Sequence, residues 1–301
     1  GKALADRIQA WVGSEAARLR ERGCQVRLQV ALVGNHPPSQ IYVRNKENAC
    51  AKVGIQTETA RLGSDTSEQQ LLELIRAWNA DPAVHGILVQ LPLPEQFDEQ
   101  AVVAAIEPRK DVDGLHPFNL GRILTGTPYF FPATPSGILE LLRAHGIITA
   151  GKHVVILGRG ALVGKPLANM LLRKPVVPDQ PLMGQDFEQL AVQEMGDATV
   201  TVCHTRTQGL ELVTRQADIL VAAAGQPGLV KRNMVRPGAV VVDAGVNRVA
   251  VGERTKILGD VDFAEVAPLT SAITPVPGGV GPMTVAMLLV NTVRAARKQA
   301  T

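Results

Sequence analysis

The segment "GKHVVILGRGALVGKPLANMLLRK", residues 151–174, decides the fold class of this chain. It begins with the aliphatic run "HVVIL", which is typical of a buried strand, and it ends with a predicted helix. Gly158, Gly160 and Gly164 lie between the two. A strand, a glycine loop and a helix in direct succession are typical of a dinucleotide-binding unit. We therefore predict a Rossmann-type domain with a parallel sheet.

The glycine loop predicts a phosphate-binding site. Glycines let the backbone approach a pyrophosphate, and the start of the helix supplies N–H groups and positive dipole character. The spacing G-x-G-x-x-x-G is one residue longer than the usual pattern, so an ordinary tight turn is the alternative. Arg159 is either a phosphate ligand or a solvated loop charge.

The end of the next predicted strand, "VTVCHTRT" (200–207), indicates which dinucleotide would bind. An NAD site usually has an acidic residue here that binds the ribose hydroxyl. This stretch has none, and Arg206 together with Arg159 could hold a 2′-phosphate, because guanidinium groups pair well with phosphate. The sequence therefore favours NADP over NAD, and the alternative is that Arg206 is merely exposed.

Strands and helices alternate along the chain, which predicts an α/β architecture with parallel strands. Before the glycine loop we predict strands at 25–34, 55–62 and 84–90. The predicted helices lie at 2–22, 39–54, 67–81, 97–108 and 132–146. Ser39, Ser67 and Thr134 are their predicted N-caps, with Pro135 as a first helical residue, and 109–123 is predicted to be a polar loop.

After the glycine loop, strands are predicted at 198–204, 217–225 and 238–245, and a Gly-Pro loop and a final helix follow from residue 275. Residues 175–197 are too long for a usual connection in such a unit. We interpret them as an inserted surface excursion with one short helix.

Composition excludes several classes of protein. The 301 residues suggest about two domains, and 31 basic against 28 acidic residues give a charge of +3 without a basic stripe, so no nucleic-acid partner is expected. The apolar runs are too short to span a bilayer, and no membrane partner is expected. Three scattered cysteines favour a reducing compartment, hence a cytoplasmic location.

The stretch "SQIYVRNKENACAKVG", residues 39–54, predicts a helix with a lysine on its apolar side. Tyr42, Ala49 and Val53 are predicted to share that side with Lys46. Residues four apart on a helix are neighbours, so Tyr42 and Lys46 should project into one space. Desolvation would lower the pKa of Lys46 and make it a proton carrier near neutral pH. The alternative is a lysine that extends along the stripe to solvent.

Two further segments could complete a site. Gln90 ends a predicted strand, where ligands of parallel sheets bind, although it could simply bond the following loop. Asp111 and Asp113 in "KDVDGL" could bind a polar heterocycle, or could belong to a plain turn. The six histidines lack metal-ligand spacing, and no metal is expected. A Tyr-x-x-x-Lys pair also occurs in short-chain dehydrogenases, but there it follows the glycine loop, whereas here it precedes it.

Taken together, these segments resemble the bifunctional methylenetetrahydrofolate dehydrogenase/cyclohydrolase family along essentially the whole chain. The matching stretches, in the same order as in the family, include "SQIYVRNKENACAKVGI", "GILVQLPLP", "PRKDVDGLHPFNLGRI", "GKHVVILGRGALVGKPLANMLL", "TVTVCHTRT", "VVDAGVNR", "GDVDF" and "TPVPGGVGPMTVAMLL". The resemblance implies NADP-dependent oxidation of 5,10-methylenetetrahydrofolate to the methenyl cation, and hydrolysis of that cation to 10-formyltetrahydrofolate. It also implies a homodimer without metal.

The resemblance also implies roles for individual residues. Lys46 would be the key lysine of the hydrolysis, Tyr42 would stack on the folate, Gln90 would tune the lysine, and Asp113 would hold the pterin. The implied substrate contacts are Tyr42, Gln90, Leu91, Pro92, Asp113, Gly279 and Pro282. The implied cofactor contacts are Gly158, Arg159, Gly160, Val163, Gly164, Thr205, Arg206, Gly225, Gly245 and Val246.

The expected domains are a folate-binding domain of residues 1–138 with 274–301, and an NADP-binding domain of residues 139–273. Gly160 departs from the family, which commonly has Ser there, so one hydroxyl contact to the cofactor would be lost. Ala133 stands where the family often has Cys, and little effect is expected. Two other functions stay open from the residues alone, namely an NADP-sensing module without turnover and an NADP-dependent dehydrogenase of another small substrate.

Overall fold

The computed structural model describes residues 1–175, 195–251 and 254–300. The chain divides into two compact units. The Lys46 unit consists of Ala5–Ala133 and Val285–Thr301, and the glycine-loop unit consists of Gly1–Leu4 and Thr134–Thr284. The predicted domains were defined by the ligand that each would bind, whereas these units are defined by their compactness. The predicted domain boundaries therefore stay a prediction.

The Lys46 unit contains a three-stranded parallel sheet in the order β2-β1-β3. Its strands are β1 (Arg27–Val33), β2 (Gln56–Leu62) and β3 (Gly86–Val89). The helices that contribute to this unit are α1 (Lys2–Glu21), α2 (Pro37–Lys52), α3 (Glu68–Ala80), α4 (Glu99–Ala104), α5 (Pro117–Leu124) and the C-terminal part of the last helix, α10 (Val280–Gln299).

The core of this unit explains why β1 and β3 are so aliphatic. Ile87 of β3 and Leu71 and Ile75 of α3 are fully buried in one hydrophobic cluster. Strands covered on both faces by helices lose the polar alternation of half-exposed strands. The same burial places the carboxyl end of β3, where Gln90 follows, directly beside a packed core.

The glycine-loop unit has a five-stranded sheet in the order β10-β7-β6-β4-β5, with every pair parallel. Its strands are β4 (His153–Leu157), β5 (Thr199–Cys203), β6 (Ile219–Ala222), β7 (Val240–Asp243) and β10 (Ala272–Ile273). The chain passes from β4 to β5 on one side and then to β6 on the other. This reversal creates a crevice at the carboxyl ends of the strands, where such sheets bind ligands.

Other elements complete the glycine-loop unit. They are α6 (Ala133–Ala144), α7 (Gly164–Leu172), α8 (Leu210–Thr214), α9 (Phe263–Val266), the 3-10 turns Arg232–Met234 and Ala267–Leu269, and the antiparallel pair β8 (Asn247–Val251) and β9 (Arg254–Leu258). The α/β architecture with a Rossmann-type parallel sheet is therefore confirmed. The strands β8, β9 and β10 and the short helices α8 and α9 were not predicted.

The structure corrects several predicted helix boundaries. Ser39 is not an N-cap, because α2 begins at Pro37 after His36, and Ser39 lies buried inside the helix. Two prolines preset the backbone angle for a first turn, which moves the start ahead of the serine. Thr134 also lies inside its helix, which begins at Ala133. Ser67 is confirmed as the N-cap of α3, with a capping box to Gln70.

The predicted loop 109–123 is also corrected, because it contains most of helix α5. Pro117 starts this helix, and the Nδ1 atom of the preceding His116 accepts the Phe118 N–H. A proline at the first helical position with a side-chain acceptor just before it is a helix start signal that polar composition concealed. The predicted excursion at 175–197, including its short helix, lies mostly outside the described residues.

Candidate active site and cofactor site

Helix α2 and strand β3 bring Lys46 and Gln90 into contact. The Lys46 Nζ donates a hydrogen bond of 3.0 Å to the Gln90 Oε1. The Gln90 amide in turn donates to the Leu91 carbonyl at 2.6 Å, and only 8 % of the Gln90 side chain is exposed. The amide is therefore oriented by its own backbone. Lys46 is held by this partner, which argues against a side chain that simply extends into solvent.

Burial and the charge of Asp113 have opposite effects on the pKa of Lys46. Burial lowers the pKa of Lys46 below its ordinary value, and the carboxylate of Asp113 acts in the opposite direction. Burial likewise raises the pKa of Asp113, opposed by the charge of Lys46. Desolvation dominates for both groups and favours their neutral forms. An amine with a lowered pKa can accept and donate a proton near neutral pH.

The two aspartates of "KDVDG" have different surroundings. Asp111 is 1 % exposed, and its carboxylate accepts hydrogen bonds from the backbone of Leu115 and His116 and from the Asn119 amide at 2.8 Å. These bonds make Asp111 the organiser of the turn into α5. Asp113 is half-buried. Of the two, Asp113 is the one whose charge reaches Lys46.

Tyr42 does not lie on the buried stripe of α2, which corrects the predicted face. It is 37 % exposed, whereas Ala49 and Val53 are buried and Lys46 is half-buried. The face toward the core is formed by Val43, Ala49 and Cys50. A large ring with an accessible face next to a partly desolvated amine is suited to stacking on a flat ligand.

Sequence reasoning missed Asn291, which anchors the loop carrying Asp113. Asn291 lies in the apolar run "LLVNTV" of α10 and is 2 % exposed. Its amide donates to the carbonyls of Val112 at 2.8 Å and Phe131 at 3.0 Å. A single amide within an apolar helical run was the available signal, because buried polar groups require partners.

The glycine loop of the other unit can adopt its shape only with glycine at two positions. Gly158 has φ +115, and a Cβ atom there would collide with the Ala223 carbonyl oxygen. A Cβ atom on Gly164 would collide with the carbonyl oxygen of Gly158. Gly160 faces open space, with no atom within 4 Å of a Cβ atom built there. The strand, the loop and the start of α7 are thus packed at Gly158 and Gly164 and open at Gly160.

The predicted phosphate-binding arginines lie on the surface. Arg159, Thr205 and Arg206 are exposed, and the Arg206 N–H donates to the His204 Nδ1 at 3.2 Å within the turn after β5. Val163 is half-buried and precedes α7 as its cap. Both guanidinium groups are therefore accessible to a phosphate.

The other predicted contacts fall in loops of each unit and, for one residue, in the first turn of a helix. Gly225 and Gly245 follow β6 and β7, and Val246 is 43 % exposed. In the glycine-loop unit, Gly279 is buried immediately before α10, and Pro282 lies in the first turn of that helix. In the Lys46 unit, Leu91 is half-buried and Pro92 is exposed.

Family models match nearly the whole chain. The catalytic domain of tetrahydrofolate dehydrogenase/cyclohydrolase matches residues 1–113, and the NAD(P)-binding domain of the same enzyme matches residues 132–300. The chain belongs to the tetrahydrofolate dehydrogenase/cyclohydrolase family. The family resemblance inferred from the sequence is thereby confirmed.

Individual members of the tetrahydrofolate dehydrogenase/cyclohydrolase family are similar over their full length. The chain is 46% identical to the bifunctional protein FolD of Geotalea uraniireducens, covering 99% of this chain and 98% of the relative. The crystal structure of the bifunctional FolD of Campylobacter jejuni is 44% identical, with a TM-score of 0.88 over 99% of this chain and 97% of the other. The Trypanosoma brucei dehydrogenase-cyclohydrolase, solved with NADP and an inhibitor, is 37% identical, with a TM-score of 0.88 and coverage of 99% and 96%.

The residues present fit the dinucleotide that the tetrahydrofolate dehydrogenase/cyclohydrolase family implies. Gly158 follows β4 and Gly164 begins α7, and a side chain at either glycine would collide with the surrounding backbone, whereas Gly160 between them faces open space and leaves its backbone accessible. Within the described residues no cluster of three His, Cys, Asp or Glu side chains is placed to hold a metal ion. Among the helices of the same described residues, none is both long enough and apolar enough to cross a bilayer.

Proposed function

We propose that this chain oxidises 5,10-methylenetetrahydrofolate to 5,10-methenyltetrahydrofolate with NADP+, and hydrolyses the methenyl product to 10-formyltetrahydrofolate. The observation that carries this proposal is the Lys46–Gln90 hydrogen bond of 3.0 Å on a chain whose two halves match both domains of the family. The family makes the chain both an oxidoreductase and a hydrolase of one-carbon metabolism.

In the hydrolytic step, Lys46 is the proton carrier. Its neutral amine accepts a proton from the water that attacks the methenyl carbon and returns a proton to the departing nitrogen. Burial lowers the pKa of Lys46, which increases the neutral fraction of the amine relative to a solvated lysine. Gln90 accepts a hydrogen bond from the amine and fixes its position. Tyr42 stacks on the folate, and Asp113 binds the pterin.

In the oxidation, the protein needs mainly to position the substrate. The hydride leaves a carbon between two nitrogens, so the cation that forms is stabilised by the substrate itself and needs little acid catalysis. Bound NADP+ would accept this hydride. Leu91, Pro92, Gly279 and Pro282 are the proposed further contacts to the folate.

We assign the cofactor site to the carboxyl ends of β4 to β7. The backbone of Gly158, Gly160 and Gly164 approaches the pyrophosphate, and Arg159 and Arg206 bind the 2′-phosphate. The additional contacts are Val163, Thr205, Gly225, Gly245 and Val246. Titration of the wild type with NADP and NAD checks this choice, and a preference for NAD would contradict the role of the two arginines.

The assembly and location of the chain belong to the same proposal. A homodimer is inferred from family membership, and its mass in solution by light scattering tests this. A cytoplasmic location is supported by the three free thiols Cys24, Cys50 and Cys203, since oxidising compartments favour disulfides.

A two-step spectroscopic assay on the wild type tests the function. Addition of NADP+ and methylenetetrahydrofolate should increase NADPH absorbance, and methenyltetrahydrofolate supplied directly should lose its own absorbance. Without NADPH formation at saturating substrate, the folate oxidation is refuted. NADP binding without either reaction would instead support a sensing module, and NADPH formation only from other substrates would support a different dehydrogenase.

A further inference from the structure

Two buried aspartates connect the loops that follow β6 and β7 in the glycine-loop unit. Asp243 ends β7 and is 3 % exposed, and Asp260 is fully buried. The Asp260 Oδ2 accepts hydrogen bonds from the backbone N–H of Ala224 at 2.6 Å and of Gly225 at 2.9 Å. The Asp260 Oδ1 accepts from the Asn247 amide at 2.7 Å. One carboxylate therefore joins the loop after β6 to the start of β8.

Asp243 holds the backbone on which Asp260 lies. The Asp243 Oδ1 accepts the N–H of Gly245 at 2.9 Å and the N–H of Asp260 at 3.0 Å, and its Oδ2 accepts the N–H of Val261 at 2.9 Å. A carboxylate that accepts several backbone N–H groups holds them in one arrangement, and its loss leaves buried donors unsatisfied. The position of Asp260 thus depends on Asp243.

Close packing adds to these hydrogen bonds. A Cβ atom on Gly245 would collide with the carboxylate of Asp260, so the loop after β7 lies directly against that side chain. Gly225 has φ +67, a conformation that favours glycine. Both glycines lie where a doubly wound sheet binds its ligand, at the carboxyl ends of adjacent strands.

We propose that Asp260 is a positioning residue for the cofactor, because it fixes the loops of Gly225 and Gly245 in the shape that receives NADP. This inference rests on the proposed function, which assigns those two glycines to the cofactor site. Asp260 itself is fully buried and acts through the loops. Its effect should therefore be specific to cofactor binding and absent from the hydrolysis carried out around Lys46.

The test compares Asp260→Ala with Asp260→Asn in the full chain. NADP affinity is measured by calorimetry without folate, and hydrolysis of methenyltetrahydrofolate is measured without NADP. Asp260→Ala should weaken NADP binding at least tenfold and leave hydrolysis within twofold of the wild type. Asp260→Asn retains one oxygen that can accept the N–H groups of both Ala224 and Gly225. Its NADP affinity should therefore stay within about threefold of the wild type.

Asp262→Asn is the matched control. Asp262 lies two residues further on, pairs with Lys231 at 2.7 Å on the surface and caps α9, which an asparagine can also do. This control should leave both measurements unchanged. If Asp260→Ala binds NADP as the wild type does, or loses hydrolysis in the same proportion as NADP affinity, the positioning role is wrong.

If Asp260→Ala does not fold, Asn247→Ala tests the positioning role of Asp260 instead. It removes the amide that restrains the Asp260 Oδ1 and leaves both aspartates in place. NADP binding weakened threefold or more with normal hydrolysis supports the proposal, and unchanged binding overturns it. Because binding is measured without turnover, a wild type that binds NADP but oxidises no folate would refute the proposed function and leave this test valid.

Discussion

The Nζ atom of Lys46 lies 3.0 Å from the Oε1 atom of Gln90, although the two residues are 44 positions apart in the chain. One comes from the middle of α2 and the other from the residue after β3. The parallel pairing of β1 with β3 brings the strand end up to the helix that follows β1. Lys46 and Gln90 therefore meet because the three-stranded sheet of the Lys46 unit pairs β1 with β3.

Replacing Lys46 should impair hydrolysis without weakening NADP binding. Lys46→Met keeps the length of the side chain and removes the titratable amine, and we expect methenyltetrahydrofolate hydrolysis to fall by about 10²–10⁴-fold, the usual contribution of general acid–base catalysis. NADP affinity should be unchanged, because the glycine loop belongs to the other unit. Stopped-flow absorbance and calorimetry measure the two quantities.

Lys52→Met is the control on the same helix. Lys52 is exposed and forms a surface ion pair with Asp6 at 3.2 Å, which contributes little to stability. It should hydrolyse the substrate at the wild-type rate. Equal hydrolysis by Lys46→Met and the wild type would remove Lys46 from the mechanism.

The hydrolysis rate should rise with pH as Lys46 loses its proton. Burial lowers the pKa of Lys46 below 10.5, so the neutral base becomes available at lower pH than for a free lysine. The Asp113 carboxylate raises that pKa, and its removal must lower it further. We therefore expect Asp113→Asn to shift the midpoint of the kcat–pH profile to lower pH, alongside a higher KM for the folate. A midpoint that stays in place or moves upward would contradict the coupling of these charges.

An added side chain should lower stability at Gly158 but not at Gly160. Gly158→Ala places a Cβ atom against the Ala223 carbonyl at φ +115 and should lower stability by about 1–3 kcal/mol and weaken NADP binding. Gly160→Ser enters open space and should leave stability within about 0.5 kcal/mol of the wild type. Chemical denaturation and NADP titration measure both. A destabilised Gly160→Ser with a tolerated Gly158→Ala would show that the loop has another shape.

Asn291 should be a major determinant of stability in the Lys46 unit. Asn291→Leu leaves the buried carbonyls of Val112 and Phe131 without their donor, and we expect a loss of about 2–4 kcal/mol in the free energy of unfolding. Gln299→Ala on the same helix removes one partly buried hydrogen bond from an exposed side chain to the His85 carbonyl, and should cost about 1 kcal/mol or less. Urea denaturation compares them, and similar losses for both variants would contradict this role.

Much of the fold could be predicted because local patterns and long-range packing agree. The strands "HVVIL" and "LQVALV" are mostly aliphatic, and the capping box of Ser67 and Gln70 marks a helix start in the sequence itself. The predictions that were wrong concern competition between signals. Pro37 preceded Ser39 as a helix start, and Pro117 began a helix within a polar stretch.

The sequence by itself determined the α/β class, the glycine loop and the family, because these depend on the order of residue types along the chain. Tertiary structure alone decided that Asp113 rather than Asp111 acts on Lys46, that Tyr42 is accessible, and that Asp260 and Asn291 hold loops distant in sequence. The physical reason is that burial and hydrogen-bond partners depend on which segments pack together. A carboxylate or an amide has the same letter in the sequence whether it is solvated or buried with its donors.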